Sequence, residues 1–146
     1  MHHYADTMDF FASHSDFVID PFPLVWMKDD NMGLLPDPKR GPRRIYETCL
    51  FGARGDRKIV SAVSNAIAEA TDRSQHMSTK PEAVLRYFFG MFVDENSVVL
   101  DPTCGSGSAL RAAEGLGAAH VLGVEIDEKF AERANVALRN SRMIKA

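Results

Sequence analysis

A chain of 146 residues has the size of one domain and can bury roughly two thirds of its unfolded surface. Its hydrophobic content of 45% and charged content of 25% are globular values, which exclude a disordered or fibrous chain. No apolar stretch has the ~18 residues of a membrane span, and residues 1–20 do not resemble a signal peptide, so we expect a cytoplasmic protein. The spacing of Cys49 and Cys104 indicates neither disulfides nor zinc, and no metal is expected.

The first half of the chain mixes apolar runs with breaks. Helical spacing predicts a helix over residues 4–12, and short apolar runs predict strands at 17–19 and 24–27. Residues 28–44 contain three prolines and two glycines, which predicts a long loop. Residues 45–53 predict a strand, and one-sided apolar residues in 59–70 predict a helix.

The second half alternates helices and strands. Pro81 suits the first position of a helix that buries several aromatic residues. Next come a short buried strand at 97–100, a helix at 108–116, a strand at 121–124 and a helix at 127–140. This alternation predicts an α/β fold with a parallel sheet.

The segment 101–107, Asp-Pro-Thr-Cys-Gly-Ser-Gly, follows an apolar strand and opens a helix. Its glycines allow backbone N–H groups to approach a ligand closely. Asp101 can accept a hydrogen bond from a cationic amino group, and a dinucleotide fingerprint would have a third glycine where Leu110 stands. With Glu125 placed to bind ribose hydroxyls after the next strand, the pattern favours S-adenosylmethionine over NAD. The alternative is an ordinary strand–turn–helix.

These residues resemble the motifs of DNA amino-methyltransferases, which methylate N6 of adenine or N4 of cytosine. Residues 101–107 resemble the cofactor motif of the family, 76–81 the short motif before it in the β-type order, and 125–127 the ribose-binding acid. Residues 24–28 and 44–55 resemble later sheet segments beside the target-base pocket. The versions that it resembles are carried by bacteria and their phages, which implies a role in restriction-modification. The resemblance also implies a Rossmann-like methyltransferase sheet. The cofactor residues it implies are Lys80, Pro81, Asp101, Pro102, Thr103, Cys104, Gly105, Ser106, Gly107, Glu125 and Ile126.

The catalytic tetrapeptide of that family, Asp/Asn/Ser-Pro-Pro-aromatic, does not occur in this sequence. In the family it accepts the hydrogens of the exocyclic amine and stacks on the flipped-out base. The nearest segment, residues 20–23 (Asp-Pro-Phe-Pro), breaks the required order. We interpret it as a proline-kinked link to the next strand, the alternative being a degenerate catalytic motif. No catalytic residue is assigned, and the chain alone is expected to be inactive.

The missing tetrapeptide implies a missing strand. In the family's sheet the catalytic strand lies between the cofactor strand and the strand near Phe17, and its loss would expose two ladders of backbone groups. A longer natural chain or a second polypeptide would supply this strand, or its two neighbours would close up. We therefore interpret residues 1–146 as a single, partial methyltransferase domain, with residues 76–146 as its cofactor-binding half.

A basic segment interrupts this acidic chain. Residues 39–58 contain seven basic residues and two acidic ones, although the whole chain has a net charge of −3. We predict that region 28–58 contacts double-stranded DNA through Lys39, Arg40, Arg43, Arg44 and Arg54, the alternative being a solvated loop.

Two other functions of the chain remain as alternatives. One is a non-catalytic module that binds S-adenosylmethionine or DNA, and the other is a methyltransferase for a non-DNA substrate.

Overall fold

The computed structural model describes residues 2–14, 16–35, 37–56, 58–72 and 79–145. No helix within these ranges is both long and apolar enough to cross a membrane. The helices of the described residues are α1 (His2–His14), α2 (Glu82–Phe89), α3 (Ser108–Gly115) and α4 (Glu128–Lys145). The strands are β1 (Val18–Ile19), β2 (Leu24–Met27), β3 (Tyr46–Cys49), β4 (Gly52–Ala53), β5 (Ala66–Ala68), β6 (Val98–Asp101) and β7 (His120–Gly123).

The strands within the described ranges form three small sheets. In the largest, of order β3-β2-β5, the central strand β2 is antiparallel to β3 and parallel to β5. β6 and β7 form a parallel pair, and β1 pairs with β4 in antiparallel fashion. α3 connects the parallel strands β6 and β7, which confirms the predicted α/β class.

The core lies between β2 and α2. Leu24 and Trp26 of β2 pack with Val84 and Phe88 of α2 and with Met91, which follows that helix. The indole N–H of Trp26 donates to the Glu69 carbonyl oxygen at 2.8 Å, so its polar atom is satisfied inside the core. Because α2 also packs against α3, this core fixes the second half of the chain against the three-stranded sheet.

The predicted helix over residues 59–70 is wrong. Residues 66–68 form β5, which runs parallel to β2 and places Ala66 opposite Val25. Asn65 fixes the approach, because its side chain donates to the Pro23 carbonyl and its own carbonyl accepts from the Val25 N–H. Alanine has a high helix propensity, but propensity is a small energy per residue, and pairing with the open edge of β2 outweighs it here.

The predicted strand over residues 45–53 is two strands. β3 pairs with β2, whereas β4 pairs with β1, and the chain changes partner at Leu50 and Phe51. Phe51 turns inward there and packs against the core.

The position of Pro81 differs by one residue from the prediction. It is the N-cap residue before α2 and not the first residue within the helix.

The prediction of a buried strand at 97–100 is wrong on burial. Val98, Leu100 and Leu122 project from one face of the β6–β7 pair and are 70%, 60% and 62% exposed. We call these three residues the bare face. α3 packs against the pair and leaves this face open. Within the described residues β6 pairs with β7 alone, so its other edge has not closed onto β1 or β2.

Candidate functional site

A cleft of about 600 Å³ lies at the carboxyl ends of β6 and β7. This is where an open parallel sheet places its ligands. The wall is built from the ends of both strands, the turn before α3, the segment before α2 and the first turn of α4. Its lining residues are Thr79, Lys80, Leu85, Asp101, Thr103, Cys104, Gly105, Ser106, Ser108, Ala109, Glu125, Asp127 and Phe130.

The turn between β6 and α3 depends on two glycines with left-handed backbones. Gly105 has φ 52° and Gly107 has φ 81°, a region that side chains disfavour. A Cβ at Gly105 would meet nothing within 4 Å, so its backbone faces open space. Asp101 stabilises the start of the turn, because its Oδ1 accepts the Thr103 N–H at 3.0 Å. The turn therefore presents backbone and carboxylate groups to the cleft.

Glu125 closes the opposite side of the cleft with both carboxylate oxygens engaged. Oε1 accepts the backbone N–H of Asp127 at 3.0 Å, and Oε2 accepts that of Gly105 at 2.8 Å. These two N–H groups hold the pKa of Glu125 below its ordinary value, so the group is ionised at neutral pH. Glu125 thus joins the end of β7 to the glycine turn.

Cys104 is a packing residue of the turn. Burial, together with the negative charges of Asp101 and Glu125, raises the pKa of its thiol. A protonated thiol is a poor nucleophile. Its sulfur lies against Gly123 of β7, where an added Cβ would be only 2.6 Å from Cys104 Sγ and from Leu110 Cδ1. The sequence analysis missed Gly123, although a glycine inside a strand often marks such a close approach.

Arg111 is a second residue that the sequence analysis missed. Its guanidinium donates to the Ser106 carbonyl at 2.8 Å and to the Ser108 hydroxyl at 3.3 Å. It also pairs with Glu82 of α2 at 3.2 Å, and its side chain is mostly buried. Arg111 therefore ties the glycine turn to α2. Its only sequence signal is a single basic side chain within a helix otherwise rich in alanine.

The rim of the cleft carries an ion-pair cluster. The Glu47 carboxylate of β3 pairs with Lys28 at 2.7 Å and with Lys80 at 3.1 Å. Burial by itself would raise the pKa of Glu47, but hydrogen bonds and charges from the two lysines outweigh it and lower that pKa. The cluster, which we call the Glu47 cluster, links the three-stranded sheet to the segment before α2.

The structure brings seven of the eleven predicted cofactor residues to the cleft: Lys80, Asp101, Thr103, Cys104, Gly105, Ser106 and Glu125. The other four do not line it. Pro81 and Gly107 are buried at helix starts, Pro102 is exposed, and Ile126 is fully exposed. The predicted motif residues 76–78 lie outside the described residues.

The loop between Leu34 and Arg44, which we call the basic loop, is closed at its base. Leu34 and Arg44 form an isolated antiparallel bridge, and a Cβ at Gly33 would collide with the Arg44 carbonyl oxygen. The segment between these two residues contains Lys39, Arg40 and Arg43, which are all exposed. The side chain of Arg40 is 88% exposed, although it lies 3.5 Å from the Asp37 carboxylate. Arg54 lies apart from this loop, after β4, and pairs with Asp16 at 2.9 Å.

Residues 20–23 form a bend between β1 and β2. The Asp20 carboxylate accepts the Phe22 N–H at 2.8 Å, and the Phe22 ring is exposed. Neither residue lines the cleft. This geometry agrees with the interpretation of a proline-kinked link between strands.

The fold and this cleft define the class of Rossmann-like methyltransferases. A family model described as DNA methylase (N6_N4_Mtase) matches residues 25–136. The chain therefore belongs to the DNA methylase family that acts on amino groups. A comparison with proteins of curated function gives no match.

Solved structures share the fold at low sequence identity. The M1.HpyAVI–SAM complex matches with a TM-score of 0.75 and 18% identity, over 94% of this chain and 71% of that one. The PvuII DNA methyltransferase (cytosine-N4-specific) matches with a TM-score of 0.74 and 13% identity, over 92% of this chain and 56% of that one. This chain thus spans 71% and 56% of the lengths of these two chains.

Proposed function

We propose that this chain binds S-adenosylmethionine and forms the cofactor-binding part of a DNA methyltransferase acting on adenine N6 or cytosine N4. The observation that carries the proposal is the cleft at the ends of β6 and β7, with Asp101 at the end of β6, Glu125 two residues after β7 and the glycine turn between them. Family membership supports the same activity.

The residues of the cleft fit this cofactor chemically. Asp101 offers a carboxylate for the α-ammonium group of the methionine end, and Glu125 offers one for ribose hydroxyls. The open space at Gly105 is a cradle that any larger residue would fill. When bound, S-adenosylmethionine supplies an electrophilic methyl group. The protein's part is to bind and orient it, since much of the rate gain in such transfers comes from positioning.

Calorimetric titration tests the cofactor assignment. We expect S-adenosylmethionine to bind in the micromolar range, about −8 kcal/mol, with NAD as the control that does not bind. Binding of NAD in preference to S-adenosylmethionine would contradict the proposal.

We further propose that a strand from outside the described residues completes the sheet. Two observations support this: the edge of β6 opposite β7 has no partner among the described strands, and the bare face is exposed beside it. Unpaired edges with apolar faces are liabilities that proteins normally cover. The catalytic tetrapeptide would arrive on this strand, from a longer natural chain or a second polypeptide.

The coding DNA upstream of the Met1 codon distinguishes this proposal from a second candidate function. An open frame encoding Asp-Pro-Pro-Tyr, or a close relative, would make the chain part of an active methyltransferase. A stop codon with no such motif would favour a non-catalytic module that binds S-adenosylmethionine or DNA. The exposed position of Phe22 outside the cleft favours this second candidate over catalysis by residues 20–23.

The basic loop is proposed to contact duplex DNA through phosphates. Replacing Arg40 and Arg43 together by alanine should reduce the slope of log affinity against log salt by about 2, because each lost phosphate contact removes about 0.9. A filter assay with duplex DNA at several salt concentrations measures this slope.

Lys129→Ala is the matched control for the loop, since it removes an exposed lysine from α4. We expect its slope to equal that of the wild type. An unchanged slope in the Arg40→Ala/Arg43→Ala variant would show that this loop does not hold phosphates and would favour a substrate other than DNA.

A further inference from the structure

Lys80 has a particular place in the charge pattern of the cleft. Among the described residues that line it, Lys80 is the only basic one, whereas Asp101, Glu125 and Asp127 are acidic. An ammonium group on a flexible stem is attracted to such acids, and the attraction strengthens as water is displaced. Where Lys80 points therefore depends on what holds it.

Glu47 holds Lys80 at the rim. The two groups lie 3.1 Å apart, and the Lys80 side chain stays about half exposed. Glu47 comes from β3, a strand that contributes no lining residue to the cleft within the described part of the chain. The Glu47–Lys80 ion pair thus links the three-stranded sheet to the cleft at the ends of β6 and β7.

Lys28 fixes the position of Glu47 in turn. Its ammonium lies 2.7 Å from the Glu47 carboxylate and 5.0 Å from the centre of the Trp26 ring, and its side chain is mostly buried. Glu47 is also paired in the β-ladder with Trp26, a core residue. The carboxylate is therefore anchored beside the hydrophobic core, and the lowered pKa keeps it ionised.

We propose that Glu47 is a positioning residue for the cofactor, keeping the Lys80 ammonium at the rim of the cleft where it meets the carboxylate of the methionine end. This inference rests on the proposed binding of S-adenosylmethionine. Without Glu47, Lys80 moves toward the acids inside the cleft and the favourable contact with the carboxylate is lost. Glu47 itself touches no ligand.

Comparing two ligands isolates this role. Decarboxylated S-adenosylmethionine keeps the ammonium, sulfonium and ribose but lacks the carboxylate that Lys80 would meet. We expect the wild-type chain to prefer S-adenosylmethionine, and Glu47→Gln to reduce that preference about fivefold, the size of one half-exposed ion pair. Calorimetric titration of both ligands measures the ratio, and thermal unfolding of each variant measures stability.

Glu95→Gln is the matched control, because it makes the same change at an exposed carboxylate that lies outside both the cleft lining and the Glu47 cluster. Its ligand preference should stay within about twofold of wild type. An unchanged preference in Glu47→Gln, or equal weakening of both ligands with a lowered Tm, would overturn the positioning role while the proposed function stands. A wild-type chain that binds neither ligand would overturn both.

Discussion

Replacing Asp101 by alanine should weaken the binding of S-adenosylmethionine about a hundredfold and so abolish micromolar affinity. A hydrogen bond to a charged group contributes about 1.5–3 kcal/mol. The alanine variant has no acceptor for the α-ammonium group of the cofactor, so this whole contribution is lost. The same change removes the acceptor of the Thr103 N–H, which loosens the start of the glycine turn. Isothermal titration at neutral pH measures the loss.

Asp101→Asn separates the two roles of this side chain. Its amide oxygen can still accept the Thr103 N–H, so the turn and the thermal stability should be retained while the charge is lost. We expect the asparagine variant to bind almost as weakly as the alanine variant. Micromolar binding by Asp101→Ala would refute the assignment of Asp101 to the ammonium group.

The Gly123→Ala variant should unfold about 5 °C below the wild-type chain. Its new Cβ would lie 2.6 Å from both Cys104 Sγ and Leu110 Cδ1. Overpacking of this kind costs about 1–3 kcal/mol, and each kcal/mol lowers the Tm of a domain this size by about 2–4 °C. Because Cys104 belongs to the glycine turn, cofactor affinity should fall as well. Calorimetric scans and titrations measure the two effects.

Gly41→Ala is the control for Gly123→Ala. A Cβ at Gly41 would meet nothing within 4 Å, and its φ is not left-handed, so its Tm should not fall. Adding Cys104→Gly to Gly123→Ala removes one of the two colliding side chains and should recover part of the Tm. A Gly123→Ala protein as stable as wild type would mean that the turn does not rest on β7.

The sequence predicts the second half of the fold well because its signals are local. The strand, glycine turn and helix around residues 98–115 follow one another, so each is specified by neighbouring residues. The prediction for β5 was wrong because its structure is not specified by neighbouring residues. Its alanines suit a helix, and only the open edge of β2, some forty residues earlier in the chain, makes it a strand.

The residues of the candidate site also differ in how far local sequence specifies their roles. Asp101 and Glu125 could be predicted, because each follows an apolar strand and parallel strands end at one edge of a sheet. Arg111 and Glu47 could not, because their roles depend on which distant atoms approach them. Gly123 gave a partial signal, since a glycine within a strand often marks a close approach, but not which atoms approach it. Glu47 lies on another sheet, and nothing within residues 44–55 indicates that Lys80 will reach it.

The position of Trp26 gives this protein a built-in optical probe. It is the only tryptophan of the chain, it is 5% exposed, and the Lys28 ammonium of the Glu47 cluster lies 5.0 Å from its ring centre. Indole emission responds to nearby charge, so any rearrangement of that cluster changes a signal that arises from one residue. Events at the rim of the cleft can therefore be followed by intrinsic fluorescence in real time, without a label and without any catalytic turnover.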